Sequence, residues 1–159
     1  MSICVRKATR DDASRIATFA VALFELHAAW NPRRFSQIAT VEGAARFYGD
    51  RADNGSVLVA ELNGEVVGFA YFEYEPTLYA ELATRVAWLH DIYVDEAVRG
   101  GGVGSALIAG VRDAARELGA DKILLSVALQ NAEGHKLFER SGFERTMHEM
   151  MLCIDNDNG

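Results

Sequence analysis

Helically spaced apolar residues and short runs of β-branched and aromatic residues take turns along this chain. Residues 2–8 read as an opening strand. Thr9 with Asp12 then forms a near capping box, followed by Ile16, Phe19, Leu23 and Leu26 at helical spacing. Asn31-Pro32 ends that helix, and a second short one is predicted over 41–48. Residues 56–62 (SVLVAEL) and 65–74 (EVVGFAYFEY) read as two strands joined by Asn63-Gly64, a strong hairpin signal. Pro76 closes the second of them. A strand over 86–94 is expected to run antiparallel to it, across a loop containing Tyr79. A glycine cluster follows, then a helix with Val103, Leu107, Val111, Ala114 and Leu118 on one stripe, ending at Gly119. Residues 122–129 read as an apolar strand, Asn131 opens a helix that Gly142 terminates, and 144–154 reads as a last strand. Long helices separate only some strands in this order, β-α-α-β-β-β-α-β-α-β. The expectation is an α/β (mixed α+β) class: one mixed, mostly antiparallel sheet flanked by helices.

At 159 residues, with no linker or repeat dividing it, the chain fits a single domain over 1–159. No apolar run of about 20 residues is present, so no membrane span is expected. The start, MSICVRKATRDD, places charges where a signal peptide needs its apolar stretch, which predicts a cytoplasmic protein. The net charge of −7 argues against a nucleic-acid partner. It agrees with a cationic substrate, although acidic balance also serves plain solubility. Cys4 and Cys153 form no CxxC pair, give no metal-ligand spacing and read as buried structural thiols.

Arg99, Gly100, Gly101, Gly102, Val103 and Gly104 lie between a strand and an amphipathic helix. Glycines there let backbone approach a ligand closely, and the free N–H groups of the first helical turn make an anion cradle suited to a pyrophosphate. A Walker loop fails, because no lysine follows Gly104. A dinucleotide fingerprint also fails, because its third glycine position is Ser105 and the loop lies past the chain's midpoint. An acyl-CoA pyrophosphate turn survives, against the plain alternative of a glycine-rich turn that binds nothing.

Arg99, Gly102 and Gly104 match Arg/Gln-x-x-Gly-x-Gly/Ala at a strand-to-helix junction, and Asn131 stands seven residues before Phe138 and eleven before Gly142-Phe143. On these residues the chain resembles the GNAT superfamily of N-acetyltransferases, over about residues 3–152. Residues 68–76 (GFAYFEYEP) and 89–94 (LHDIYV) further resemble the third and fourth strands of its spermidine/spermine and thialysine acetyltransferase branch. That branch usually carries Glu-Asp where this chain has His90-Asp91.

The resemblance implies a fourth and fifth strand splayed around acetyl-CoA, and attack by a free amine on its thioester without a metal. It places Ile92, Tyr93 and Val94 along the pantetheine. The pyrophosphate falls to the loop from Arg99 through Gly104 with Ser105, and Asn131 and Phe138 lie on the CoA side. The backbone N–H of Ile92 is the implied oxyanion donor. The chemistry sets its own demands: an alkylammonium of pKa about 10.4 must lose a proton, and the thioester oxygen needs a donor as charge develops. His90 is the first candidate for the base, two residues before Ile92 and expected on its strand face, although a histidine there can equally pack in the sheet. Asp91 is expected on the opposite face in a structural hydrogen bond. Many relatives have a tyrosine acid where this chain has Phe138, which has no proton to give; Tyr93 or water is the available substitute. Asn131 also reads as a helix N-cap.

Glu73 and Glu75 are candidates for an anionic wall around a cationic tail, and Glu25, His27, Trp30 and Phe35 lie in the segment that lines acceptor pockets in this superfamily. The expected acceptor is a small primary amine, such as a polyamine, amino acid or aminoglycoside. A protein amino group and a CoA-binding sensor without catalysis are the alternatives, and the resemblance also suggests a homodimer.

Overall fold

The computed structural model describes residues 2–36, 39–78 and 83–154, so the expected loop at Tyr79 lies outside the described residues. The chain forms β1 (Ile3–Lys7), a 3-10 turn (Arg10–Asp12), α1 (Ala13–Trp30), α2 (Val41–Asp53), β2 (Val57–Leu62), β3 (Glu65–Leu78) and β4 (Ala83–Val94). A second 3-10 turn (Glu96–Val98), α3 (Val103–Glu117), β5 (Lys122–Leu124) and α4 (Ala132–Arg140) follow. The described sheet has the order β1-β2-β3-β4-β5 and is antiparallel except for its last pair, β4 with β5.

Local chemistry sets most of the boundaries. Asp12 accepts from the Thr9 N–H at 2.8 Å, completing the capping box on the 3-10 turn that leads into α1. Arg6 ties this corner to the sheet, bonding Asp12 at 2.8 Å and Glu61 at 2.6 Å. The Thr40 hydroxyl caps α2 by accepting from Gly43 N at 3.0 Å. That helix runs past the expected residue 48 to Asp53, because Ala44, Tyr48 and Ala52 continue one buried stripe. Asn63 and Gly64 turn the β2–β3 hairpin with φ of 54° and 80°, the paired positive values that match the twist of its strands.

Four expectations are corrected. β3 does not stop at Pro76 but runs on to Leu78. The ladder pairs Glu75 with Val86 and Thr77 with Thr84 and skips Pro76, which has no N–H to donate to it. The strand expected over 122–129 is paired only at Lys122–Leu124, and Leu129 is 85% exposed. No strand forms over 144–154: the edge strand β5 is only three residues long, and Met150, Leu152 and Ile154 are 92%, 87% and 84% exposed. Finally, Cys4 is exposed and Cys153 only partly covered, so neither is a buried structural thiol.

The sheet buries both faces. On one, Ile16, Phe19 and Ala20 of α1 and Ala44, Tyr48 and Ala52 of α2 pack on Val57, Val59, Phe69 and Tyr71. On the other, Val103, Leu107, Val111 and Ala115 of α3 pack on Leu58, Ala60, Ala70, Phe72, Ala87 and Leu89. The stripe expected for α3 holds through Ala114, while Leu118, past the helix end, is 53% exposed. Tyr93 joins the α1 side, and Ile92 and Val94 join the α3 side.

Candidate active site

The site begins where the sheet opens. β4 and β5 pair over only three positions, Val86–Lys122, Ala87–Ile123 and Trp88–Leu124. β4 continues to Val94, while 125–128 leaves the sheet, so the edge of β4 beyond Trp88 faces a gap between diverging strands. Such an edge offers backbone N–H and C=O groups to an extended ligand.

A bulge shapes the same stretch. β3 pairs Tyr71 with Asp91 and Phe72 with Leu89, leaving His90 as an extra residue on β4. The alternation therefore slips. His90 does not share a face with Ile92 as spacing alone implies; its ring stacks on Tyr71 at 5.1 Å and lies 6.3 Å from Trp88, while Ile92 joins the α3 side. Asp91 points to the α1–α2 side, where the Tyr48 hydroxyl donates to its Oδ2 at 2.6 Å. The structural hydrogen bond expected for Asp91 is present, but on the side of the sheet that His90 also uses.

Burial governs the protonation of this group. It pushes the Asp91 carboxyl above the ordinary carboxylate range, against the opposing pull of the Tyr48 hydrogen bond. It also raises the Tyr48 phenol, keeping that hydroxyl a donor. Burial lowers His90 below the usual histidine value, against the attraction of Asp91, Glu73 and Glu75. Glu73 is partly buried and accepts from the Tyr71 hydroxyl at 2.9 Å; Glu75 is partly buried as well. The end of α1 contributes His27, edge-on to Trp30 at 5.1 Å and to Phe35 at 4.9 Å, and His27 also acts electrostatically on Asp91. Glu25 sits exposed on α1, outside this aromatic group.

At the far end of β4, Arg99 folds back so that Nε donates to Val94 O at 2.9 Å and the guanidinium lies 5.1 Å from the Tyr93 ring centre. Tyr93 also packs on Phe19 at 5.4 Å, turned away from the face of Ile92 and Val94. Gly100 and Gly102 have φ of 83° and 90°, and Gly102 is the residue that caps α3. The N–H of Ala106 bonds Gly102 O at 3.0 Å, so the N–H groups of Val103, Gly104 and exposed Ser105 precede that helical bond. Around Gly100 there is open space where a side chain would stand, whereas a Cβ on Gly104 would meet Leu137 at 2.9 Å, where α3 approaches α4. An open turn over an uncommitted helix start, at the end of an unpaired strand edge, fits a pyrophosphate followed by an extended amide arm.

Asn131 caps α4, its Oδ1 accepting from Gly134 N at 2.9 Å. Replacing it with alanine is expected to lower stability by about 1 kcal/mol, read from urea denaturation. Phe138 is buried and packs edge-on to Phe143 at 5.7 Å, so a side chain without an acid occupies this position. Tyr48 and Tyr71 are the components that spacing did not single out. The signal that was available is Asp91 itself, a carboxylate beside His90 in a strand segment whose other residues, Leu89, Ile92, Tyr93 and Val94, are apolar or aromatic.

The model of the acetyltransferase (GNAT) family matches residues 20–143. This chain belongs to that family. It is 29% identical to mycothiol acetyltransferase of Sanguibacter keddieii over 147 residues, covering 92% of this chain and 44% of that protein. It is 33% identical to an uncharacterized N-acetyltransferase of Methanocaldococcus jannaschii over 94 residues, covering 59% of this chain and 41% of the other. The chain thus spans less than half the length of these curated relatives. The fold superposes on an aminoglycoside N-acetyltransferase solved with CoA, with a TM-score of 0.78, 17% identity, and coverage of 96% and 94% of the two chains. It also superposes on a ribosomal-protein-alanine N-acetyltransferase of Brucella melitensis, with a TM-score of 0.68, 19% identity, and coverage of 96% and 99%. Those two names carry different acceptors on one architecture.

Proposed function

We propose that this chain is an acetyl-CoA-dependent N-acetyltransferase acting on the primary amine of a small molecule. The observation that carries the reading is the departure of β4 from β5 after three pairs, directly before a helix start framed by two left-handed glycines. Acetyl-CoA supplies the acetyl group as a thioester. Val103, Gly104 and Ser105 offer backbone N–H groups to its pyrophosphate, with Arg99 as the neighbouring cation, and the free edge of Ile92–Val94 pairs with pantetheine. The Ile92 N–H donates to the thioester oxygen as negative charge develops there. His90 takes the amine's proton: burial lowers its pKa, so the neutral ring that can accept a proton predominates at neutral pH. Phe138 supports the cofactor arm by packing, and the thiolate, of pKa about 8.5, leaves without a dedicated tyrosine acid. The partly buried Glu73 and Glu75 and the aromatic end of α1 favour a cationic small molecule. The likeness of residues 68–76 to the polyamine-acetylating branch places polyamines in the test panel.

Thiol release from acetyl-CoA with polyamines, amino acids, aminoglycosides and peptides tests this reading. Turnover with a small amine supports it, and turnover with peptides alone assigns a protein acceptor. CoA binding without amine-dependent release makes the chain a sensor. With an amine that turns over, kcat/KM is expected to fall as pH drops through a value below the usual histidine range. His90→Ala is expected to remove that limb, and an unaltered pH profile excludes His90 as the base.

A further inference from the structure

One carbonyl marks the end of the segment that leaves the sheet. Ala128 O accepts from the Asn131 N–H and from His135 Nε2, each at 3.0 Å. A carbonyl oxygen has two lone pairs, so both acceptor positions of Ala128 are taken. His135 stands on α4, partly buried, and reaches back seven residues to make this bond. Because its partner is a carbonyl, Nε2 is the ring nitrogen that carries the proton.

Nothing in residues 125–128 (LSVA) bars them from the sheet. They hold no proline, glycine or charge, and Leu125 already packs on the α3 side. The neighbouring strand is equally ready, since β4 runs on to Val94. Continued at the register of Trp88 with Leu124, the ladder would set Ala128 opposite Ile92. That closure would cover the stretch of β4 proposed for pantetheine and the thioester. What holds Ala128 elsewhere is α4. The helix is seated on α3 where Leu137 lies against Gly104, and its Phe138 is buried edge-on to Phe143.

We propose that His135 is the positioning residue that keeps this gap open. By holding Ala128 O against α4, it stops residues 125–128 from closing onto β4 and leaves the edge at Ile92 for the thioester arm of acetyl-CoA. The assignment rests on the acetyl-CoA-dependent function proposed above, and it names the side chain on which the opening of that site depends. His135 reaches the cofactor arm only through backbone, so it takes no part in the chemistry. One helix thereby serves both ends of the cofactor, with Leu137 at the glycine turn and His135 at the gap.

His135→Ala, His135→Asn and His135→Gln separate this role from packing. Glutamine can place an amide N–H where Nε2 stood, whereas the shorter asparagine reaches only the place of Nδ1. In calorimetric titration, His135→Ala and His135→Asn are expected to raise Kd for CoA about fivefold to tenfold. That is one hydrogen bond's worth of population passing from the open gap to the closed one. His135→Gln is expected to stay within about twofold of the wild type. The CoA nucleotide without its pantetheine, 3′-phospho-ADP, does not enter the gap and is expected to bind every variant within about twofold of the wild type. In turnover, KM for acetyl-CoA rises in His135→Ala by more than kcat falls, and KM for the amine stays within about twofold. Hydrogen exchange supplies an arm that needs no ligand. In the free protein, amides of residues 125–128 are expected to exchange about threefold or more slower in His135→Ala and His135→Asn than in the wild type and His135→Gln, because closure gives alternate ones a partner on β4.

Faster or unchanged exchange over 125–128 in His135→Ala overturns the proposal. So does a CoA affinity left unaltered, an equal loss for 3′-phospho-ADP, or an affinity in His135→Asn as high as in His135→Gln. A wild type that binds no CoA, with exchange over 125–128 still slowed in His135→Ala, counts against the CoA reading of the gap and for the role of His135. CoA binding that His135→Ala leaves unchanged does the reverse.

Discussion

Gly102→Asp is expected to weaken CoA binding by a hundredfold or more while leaving the protein folded. Gly102 caps α3 at φ 90°, a region that aspartate tolerates better than most side chains, so the backbone cost is limited to about 1 kcal/mol. A Cβ there meets nothing closer than Ile3 Cδ1 at 3.9 Å, so sterics add little. The damage is electrostatic. A carboxylate about 5 Å from a phosphate, at an effective dielectric constant of about 20, repels it by about 3 kcal/mol. That alone exceeds a hundredfold in Kd. The new side chain also competes for the N–H groups of the first α3 turn, as an N-cap does. Calorimetric titration of both proteins with CoA, alongside their urea denaturation curves, reads affinity and fold separately. A Kd within tenfold of the wild type would remove the pyrophosphate from this turn.

The second large effect falls on stability. Gly68 pairs with Val94, and a Cβ on it would stand 2.8 Å from the Tyr93 carbonyl oxygen, 3.3 Å from Leu107 Cδ1 and 3.4 Å from Val94 Cα. Two of these three atoms are backbone, so the contact cannot be relieved by a rotamer change. Gly68→Val is expected to destabilise the fold by about 3 kcal/mol or more, the upper range for overpacking. The strand it displaces is the one that carries Ile92, Tyr93 and Val94, so the variant is also expected to bind CoA more weakly than its residual folded fraction explains. Urea denaturation with CoA present and absent measures both, and a loss under 1 kcal/mol would show that β4 has freedom to shift.

Much of the architecture was legible because its signals are local. The Asn63-Gly64 hairpin, the helix from Val103, and the stops at Asn31, Gly119 and Gly142 each depend on a few neighbouring residues. What was misread depends on neighbours distant in sequence. The residues 125–129 are apolar but for Ser126, yet they join no strand among the described residues, because the sheet parts at Leu124. The residues 144–154 resemble a strand but have no strand beside them among the described residues. Pro76 signals an end only if its N–H is needed, and register decides that.

The site divides in the same way. The glycine turn and the strand before it were evident from residue types, because an anion cradle is made of backbone that only glycine permits. The acceptor side was not, because the bulge at His90 reverses the alternation on which its orientation was inferred. Tyr48 lies 43 residues before Asp91, and no spacing rule joins an α2 tyrosine to a β4 carboxylate. Asn131 served both readings from the start; its cap hydrogen bond is made within α4.

Amine-dependent thiol release from acetyl-CoA, with the acetylated product identified by mass and wild type run beside Gly102→Asp, distinguishes acetyl transfer at this turn from every other reading of the site. Release is expected to require a primary amine, to yield its N-acetyl derivative, and to be lost in the variant at sub-saturating acetyl-CoA. Release that ignores the amine, or that proceeds equally well in Gly102→Asp, would contradict it.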